Sequence, residues 1–213
     1  MSPITLRDVE AEDILKLKAM INDTWKWEDL VKEEAVLGAT IALYFNQVLY
    51  GSSYGKVALQ EGEVIGAIFG HVDGEVPTCR MLQEDGLEHT LTLLQAAEDE
   101  RQNVYKCLSE LNATYGQLVD GKEDSYDGTL VFLAVAEKVQ GLGVGKQLWN
   151  DLASYFKEKN AKSIYVFTDT DCDFGFYDHQ GFSRKDTQHL TCTFSEDIWD
   201  VDIFLYDYEF QQK

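Results

Sequence analysis

The residues with the clearest capacity for chemistry run from Gln140 to Lys146, where Gly141, Gly143 and Gly145 alternate with Leu142 and Val144. Glycines at alternate positions let a backbone approach an anion closely and turn successive N–H groups into one concavity. An apolar run at residues 130–136 precedes this segment, and an apolar stripe of Val144, Leu148, Leu152 and Tyr155 follows it. The segment therefore joins a buried strand to the start of a helix, where unpaired N–H groups and the positive end of the dipole attract phosphate. Gln140 adds a side-chain amide donor. Spacing excludes two phosphate motifs. A P-loop would need glycine where Gln140 stands and Ser or Thr where Gln147 stands, and the dinucleotide fingerprint would need one more residue before the last glycine. A tight connection that binds nothing would use the same glycines.

A second group follows the next apolar strand, residues 163–168. It comprises Asp171, Cys172 and Asp173, then Phe176 and Tyr177, then Gly181 and Phe182. Taken in order, Leu133-Ala134-Val135, Gln140-x-x-Gly143-x-Gly145 and Phe176-Tyr177-x-x-x-Gly181-Phe182 resemble the GNAT superfamily of acetyl-CoA-dependent N-acetyltransferases. The resemblance is close over residues 130–182 and loose over the hairpin at 57–72 and the closing strands. It does not cover residues 75–128.

The resemblance implies that acetyl-CoA is the acetyl donor, held without a metal. Leu133, Ala134 and Val135 would hydrogen-bond the pantetheine arm through their backbone. Gln140, Gly141, Leu142, Gly143, Val144, Gly145 and Lys146 would hold the pyrophosphate, and a backbone N–H near Val135 the oxyanion. Tyr177 would protonate the departing thiolate, a transfer made reasonable by reference pKa values of phenol and thiol within about two units of each other. Without the resemblance, Tyr177 reads as a packed aromatic beside Phe174 and Phe176.

Two positions depart from the family pattern. Asp173 stands where many relatives carry an asparagine that contacts the cofactor arm, and an ionised carboxylate cannot donate there. No acid occurs between Thr129 and Val135, where many relatives carry the base that deprotonates the amine. The remaining candidates for that base are Glu137, Asp171, Asp173, His71 and His179, and the sequence ranks none of them first. Cys172 reads as a small buried thiol rather than an acyl carrier.

The composition narrows the partners. With 18 basic and 38 acidic residues the net charge is −20, which disfavours nucleic acid and anionic membranes and attracts a cationic amine. The implied acceptor is a small-molecule amine or a lysine side chain. The four cysteines are widely spaced, without a Cys-x-x-Cys pair, so a reduced, cytoplasmic chain is expected. The most apolar stretch, residues 35–50, is too short to span a bilayer.

The elements that must position these groups suggest a single domain over residues 1–213. A short strand at 4–7 leads into a helix carrying Ile14, Leu17 and Ile21. A second helix over 25–37 finds a candidate C-cap at Gly38, and the sequence does not decide whether residues 39–50 continue as helix. A hairpin follows, with strands at 56–60 and 64–72 about the turn Glu61-Gly62-Glu63. One or two helices occupy an insertion at 75–128, whose apolar stripes could serve a homodimer as well as a core. After the glycine turn come a helix ending near Asn160, the strand at 163–168, a short helix over 174–180 and strands at 182–191 and 202–210. The expected fold is α/β of the α+β kind: a GNAT-like, mixed and mostly antiparallel central sheet flanked by helices. The same fold without catalysis, as an acyl-CoA-binding sensor, is the alternative reading.

Overall fold

Apolar residues that alternate along the strands send neighbouring side chains to opposite faces of one sheet, and each face has its own helical cover. A computed structural model describes residues 2–194 and 197–211, the Glu123 side chain excepted. The strands are β1 (Thr5–Asp8), β2 (Tyr54–Gln60), β3 (Glu63–Val72), β4 (Gly128–Val135), β5 (Ser163–Asp169), β6 (Ser183–Phe194) and β7 (Asp197–Glu209). They lie in the order β1-β2-β3-β4-β5-β7-β6. Only β4 and β5 are parallel neighbours among the described residues; the other pairs are antiparallel.

The helices are α1 (Ile14–Trp25), α2 (Glu34–Tyr50), α3 (Gly86–Gln95), α4 (Glu98–Val119), α5 (Val144–Glu158) and α6 (Gly175–Gln180). On one face Leu148, Leu152 and Phe156 of α5 pack with Ile68, Leu130, Ile164 and Tyr206 of the sheet. On the other face α1 and α2 cover β2 to β4, where Leu17, Ile21, Phe45 and Leu49 meet Val57, Phe69 and Phe132. The far half of that face is covered by α4, which sets Leu111 and Leu118 with Val201, Ile203 and Leu205 of β7. The insertion thus supplies core. Its first helix differs: α3 buries none of its residues.

Three expectations change. Gly38 does not end a helix. The chain after Trp25 makes a short 3-10 turn at Trp27–Asp29, and α2 then runs through Gly38 to Tyr50, closing where the Gly51 N–H bonds Gln47 O at 3.0 Å. A glycine inside a helix costs only about 1 kcal/mol, and the buried side chains of Val36, Ile41, Phe45 and Leu49 offset that. The closing strands also reach further than their apolar patterns, to Phe194 and from Asp197. Finally, Cys107 on α4 and Cys192 on β6 form a disulfide with their Cα atoms 5.3 Å apart, while Cys79 and Cys172 are free. This corrects the expectation of a fully reduced chain. The two cysteines are 85 residues apart, so only the docking of α4 on β6 brings them together. Among the described residues no helix is long and apolar enough to cross a membrane.

Candidate active site

The site begins where the sheet parts. β4 and β5 meet at one register pair, Thr129 opposite Tyr165, fastened by a hydrogen bond from Thr129 Oγ1 to Tyr165 O at 3.1 Å. Beyond it the strands diverge. On its other side β4 stays paired to β3, with Leu133, Ala134 and Val135 opposite Ile68, Ala67 and Gly66. The divergence opens a cavity of about 310 Å³, lined by Leu133, Ala134, Val135, Gln140, Gly145, Asp173 and Tyr177.

The glycine turn lies at the mouth of this cavity. Gly141 and Gly143 have φ of 77° and 82°, a region that disfavours side chains because Cβ would crowd the following carbonyl. Gly145 has a different job: a Cβ there would lie 3.2 Å from Cε2 of Phe176, so its absence lets α5 seat against α6. Leu142 spends its N–H inside the turn on Val139 O, at 3.3 Å, and Gln147 is the first residue to bond back along α5, to Gly143 O at 3.1 Å. Helix geometry therefore leaves the N–H groups of Val144, Gly145 and Lys146 without partners one turn earlier. They point out at the positive end of α5, where they could hold a pyrophosphate. The Gln140 side chain reaches back to Val135 O at 3.4 Å.

A second cavity, of about 290 Å³, lies between β4, β5 and helices α1, α2 and α4. Leu133, Cys172 and Tyr177 line both. The walls of this inner cavity are aromatic. Trp25 from α1 and Tyr44 from α2 make an edge contact at 5.7 Å, and Tyr115 of α4 stacks on Phe167 of β5 at 4.4 Å between centroids. Asp169, 5% exposed, also lines this cavity. Asp169 accepts from Trp25 Nε1 and from the Asp171 N–H, both at 2.9 Å. Burial raises its pKa against these hydrogen bonds, which lower it. Beside it, Thr168 Oγ1 is buried with no hydrogen bond of good geometry among the described residues, although it lies near the Cys172 thiol.

Burial also pushes the Tyr177 phenol well above its ordinary value, reinforced by Cys172 and Asp169. The Cys172 thiol is raised by burial and by Asp169, which leaves it protonated and a poor nucleophile. Of the bases considered from sequence, Glu137, Asp171 and Asp173 line the outer cavity. The Asp171 carboxylate accepts from Trp199 Nε1 at 2.7 Å. His71 and His179 line neither cavity among the described residues. His71 carries a buried Nδ1 without a hydrogen-bond partner among the described residues, and His179 Nδ1 contacts Gly175 O at 2.7 Å.

A cavity at the glycine turn thus borders a second one at the buried Tyr177. The model of the Acetyltransferase (GNAT) family matches residues 17–182. The chain belongs to that family. As a GNAT protein it is an acetyl-CoA-dependent acyltransferase, and its mostly antiparallel seven-stranded sheet is the GNAT fold. Solved structures with the same fold include a ribosomal-protein-alanine N-acetyltransferase from Brucella melitensis, at 14% identity over 97% of this chain and 99% of that one, with a TM-score of 0.53. An N-acetyltransferase from Staphylococcus aureus gives 15% identity, coverages of 98% and 99%, and a TM-score of 0.52. A polyamine N-acetyltransferase from Drosophila melanogaster gives 14% identity, coverages of 98% and 100%, and a TM-score of 0.57. No curated protein sequence matches the chain.

Sequence reasoning missed Asp169 and the aromatic walls of the GNAT site. It ended the strand at Thr168, one residue early, and considered Asp171 and Asp173 but not the acid next in line. The alternation of Asp169, Asp171 and Asp173 was visible. Which of the three is buried depends on Trp25, 144 residues earlier in the chain.

Proposed function

We propose that this enzyme transfers the acetyl group of acetyl-CoA to the primary amine of a cationic acceptor by direct attack, with Asp169 as the base. The observation that carries this reading is that two cavities share Tyr177, one lined by Gln140 and Gly145 of the glycine turn and the other by Asp169. The outer cavity fits the cofactor: two turn glycines have positive φ, three helix N–H groups are open, and Leu133 to Val135 line the slot. On this reading Leu133, Ala134 and Val135 hold the pantetheine arm. Gln140, Gly141, Gly143, Val144, Gly145 and Lys146 hold the pyrophosphate, with Leu142 shaping the turn. Asp173 borders the arm as a carboxylate, without a donor to offer it.

Bound acetyl-CoA supplies an acetyl thioester. An ammonium acceptor gives up two protons in becoming an amide: one leaves to solvent, and the other ends on the sulfur. Asp169 takes the first, because its buried carboxylate is more basic than a surface one. Tyr177 holds a proton beside the departing sulfur. Burial separates its acidity from that of a thiol more than the reference values do, so its proton leaves only as the nitrogen's second proton replaces it. The aromatic walls favour a cation over a neutral acceptor. Thiol release over a panel of mono-, di- and polyamines, with the acetylated product confirmed by mass, tests the proposal. Acetyl-CoA binding without turnover on any amine would point to a binding module instead.

A further inference from the structure

A cavity of about 1100 Å³ lies outside the site described so far. Its floor is α2, which presents Leu43 and Tyr50, and its walls are α3 and α4 of the insertion, which present Leu94, Tyr105 and Leu108. It is a built feature. Asn46 of α2 is buried and pins the start of the α3 wall at both ends of its amide, donating to Glu84 O at 3.1 Å and accepting from the Glu84 N–H at 3.0 Å. Lys18 of α1 holds the Glu84 carboxylate at 2.8 Å. Yet α3 buries none of its own side chains. Leu94 is 58% and Tyr105 76% exposed, so a pinned frame holds an apolar lining that nothing among the described residues covers.

Gln47 and Asn112 line this groove and also the inner cavity that Asp169 lines. The two spaces therefore share a border at Gln47 and Asn112. We infer that the groove is the tail site of the acceptor, so that the substrate is a primary amine carried on an extended apolar body, such as a long alkylamine or an arylalkylamine. The inference rests on the reading that the inner cavity receives the acceptor amine. The ammonium lies against Asp169 and the aromatic walls, and the hydrocarbon runs past Gln47 and Asn112 to lie between α3 and α4. The volume favours such a body: a short diamine would leave the groove empty.

The test is a homologous series from n-butylamine to n-decylamine, assayed by thiol release with the full chain. Burying each further methylene raises kcat/KM about two- to fourfold until the groove is filled. Leu94→Glu and Tyr105→Glu alter exposed positions, and each lowers the decylamine-to-butylamine ratio of kcat/KM about tenfold or more. Titration calorimetry of the same amines against the CoA-bound protein reads the groove separately from turnover. A ratio that is flat along the series, or unmoved by both variants, overturns the inference while butylamine turnover leaves the acetyltransferase reading intact. Absence of turnover on every amine sinks that reading instead, and chain-length-dependent binding lost in the variants would still uphold the groove. If sedimentation shows a dimer that Leu94→Glu splits without changing the ratio, a second copy occupies the groove and the inference fails.

Discussion

Asp169 depends on its surroundings for whatever it can do. In water an aspartate is too weak a base to strip an ammonium at useful speed; here burial raises its pKa while Trp25 and the Asp171 N–H fix both oxygens. Asp169→Asn keeps the shape and removes the basicity, and kcat is expected to fall about 100-fold. In the wild type, kcat/KM rises with pH through the raised Asp169 value, above the ordinary aspartate range, and that limb disappears in Asp169→Asn. The stability contribution has the opposite sign. A carboxyl whose folded pKa lies above its unfolded one stabilises the fold below the unfolded value, and loses that contribution as pH rises through the folded one. The melting-temperature difference between wild type and variant should therefore shrink over the window in which activity grows. An unchanged pH limb in the variant assigns the base to another group.

At the level of elements, the glycine turn and the disulfide contribute in opposite ways. The turn uses glycine's freedom at positive φ to leave N–H groups exposed: Gly143→Ala places a side chain at φ 82°, costing about 1–2 kcal/mol. It should raise KM for acetyl-CoA more than it lowers kcat, which steady-state kinetics and a denaturation curve resolve. The disulfide holds α4 on β6 across 85 residues, a loop long enough for its closure to stabilise the fold by about 2–4 kcal/mol. Reduction, or Cys107→Ser with Cys192→Ser, should lower the melting temperature; an unchanged value would show that the apolar contacts of α4 suffice. These two elements also mark what the sequence made legible. Strand, turn and helix around Gly143 are contiguous, so their spacing could be read directly, and Tyr177 followed from the same ordered pattern. Neither the Cys107–Cys192 pairing nor the burial of Asp169 has a local signature, because each is made by a helix from a distant part of the chain. Gly38 misled for the converse reason: a local breaker was overruled by the buried face of α2.

Over the whole molecule the charge of −20 surrounds a site that receives one anionic substrate and, on our reading, one cationic one. The field draws the amine in and opposes the cofactor. Raising the ionic strength should therefore increase KM for an ammonium acceptor and decrease KM for acetyl-CoA, with kcat little changed; parallel salt dependence of the two constants would refute this. The divergence of β4 from β5 has a consequence at the same scale. It gives the sheet two interior borders whose main-chain donors and acceptors face a crevice instead of each other. At an outer margin such borders would invite other chains; recessed between α1 and α6, they admit only something as slender as a single extended strand. On our reading of this crevice as the donor slot, an extended ligand would lie there as an eighth strand beside a sheet of seven, joining two rafts that otherwise share a single register pair. Binding the donor would then brace the sheet across its gap and raise the melting temperature.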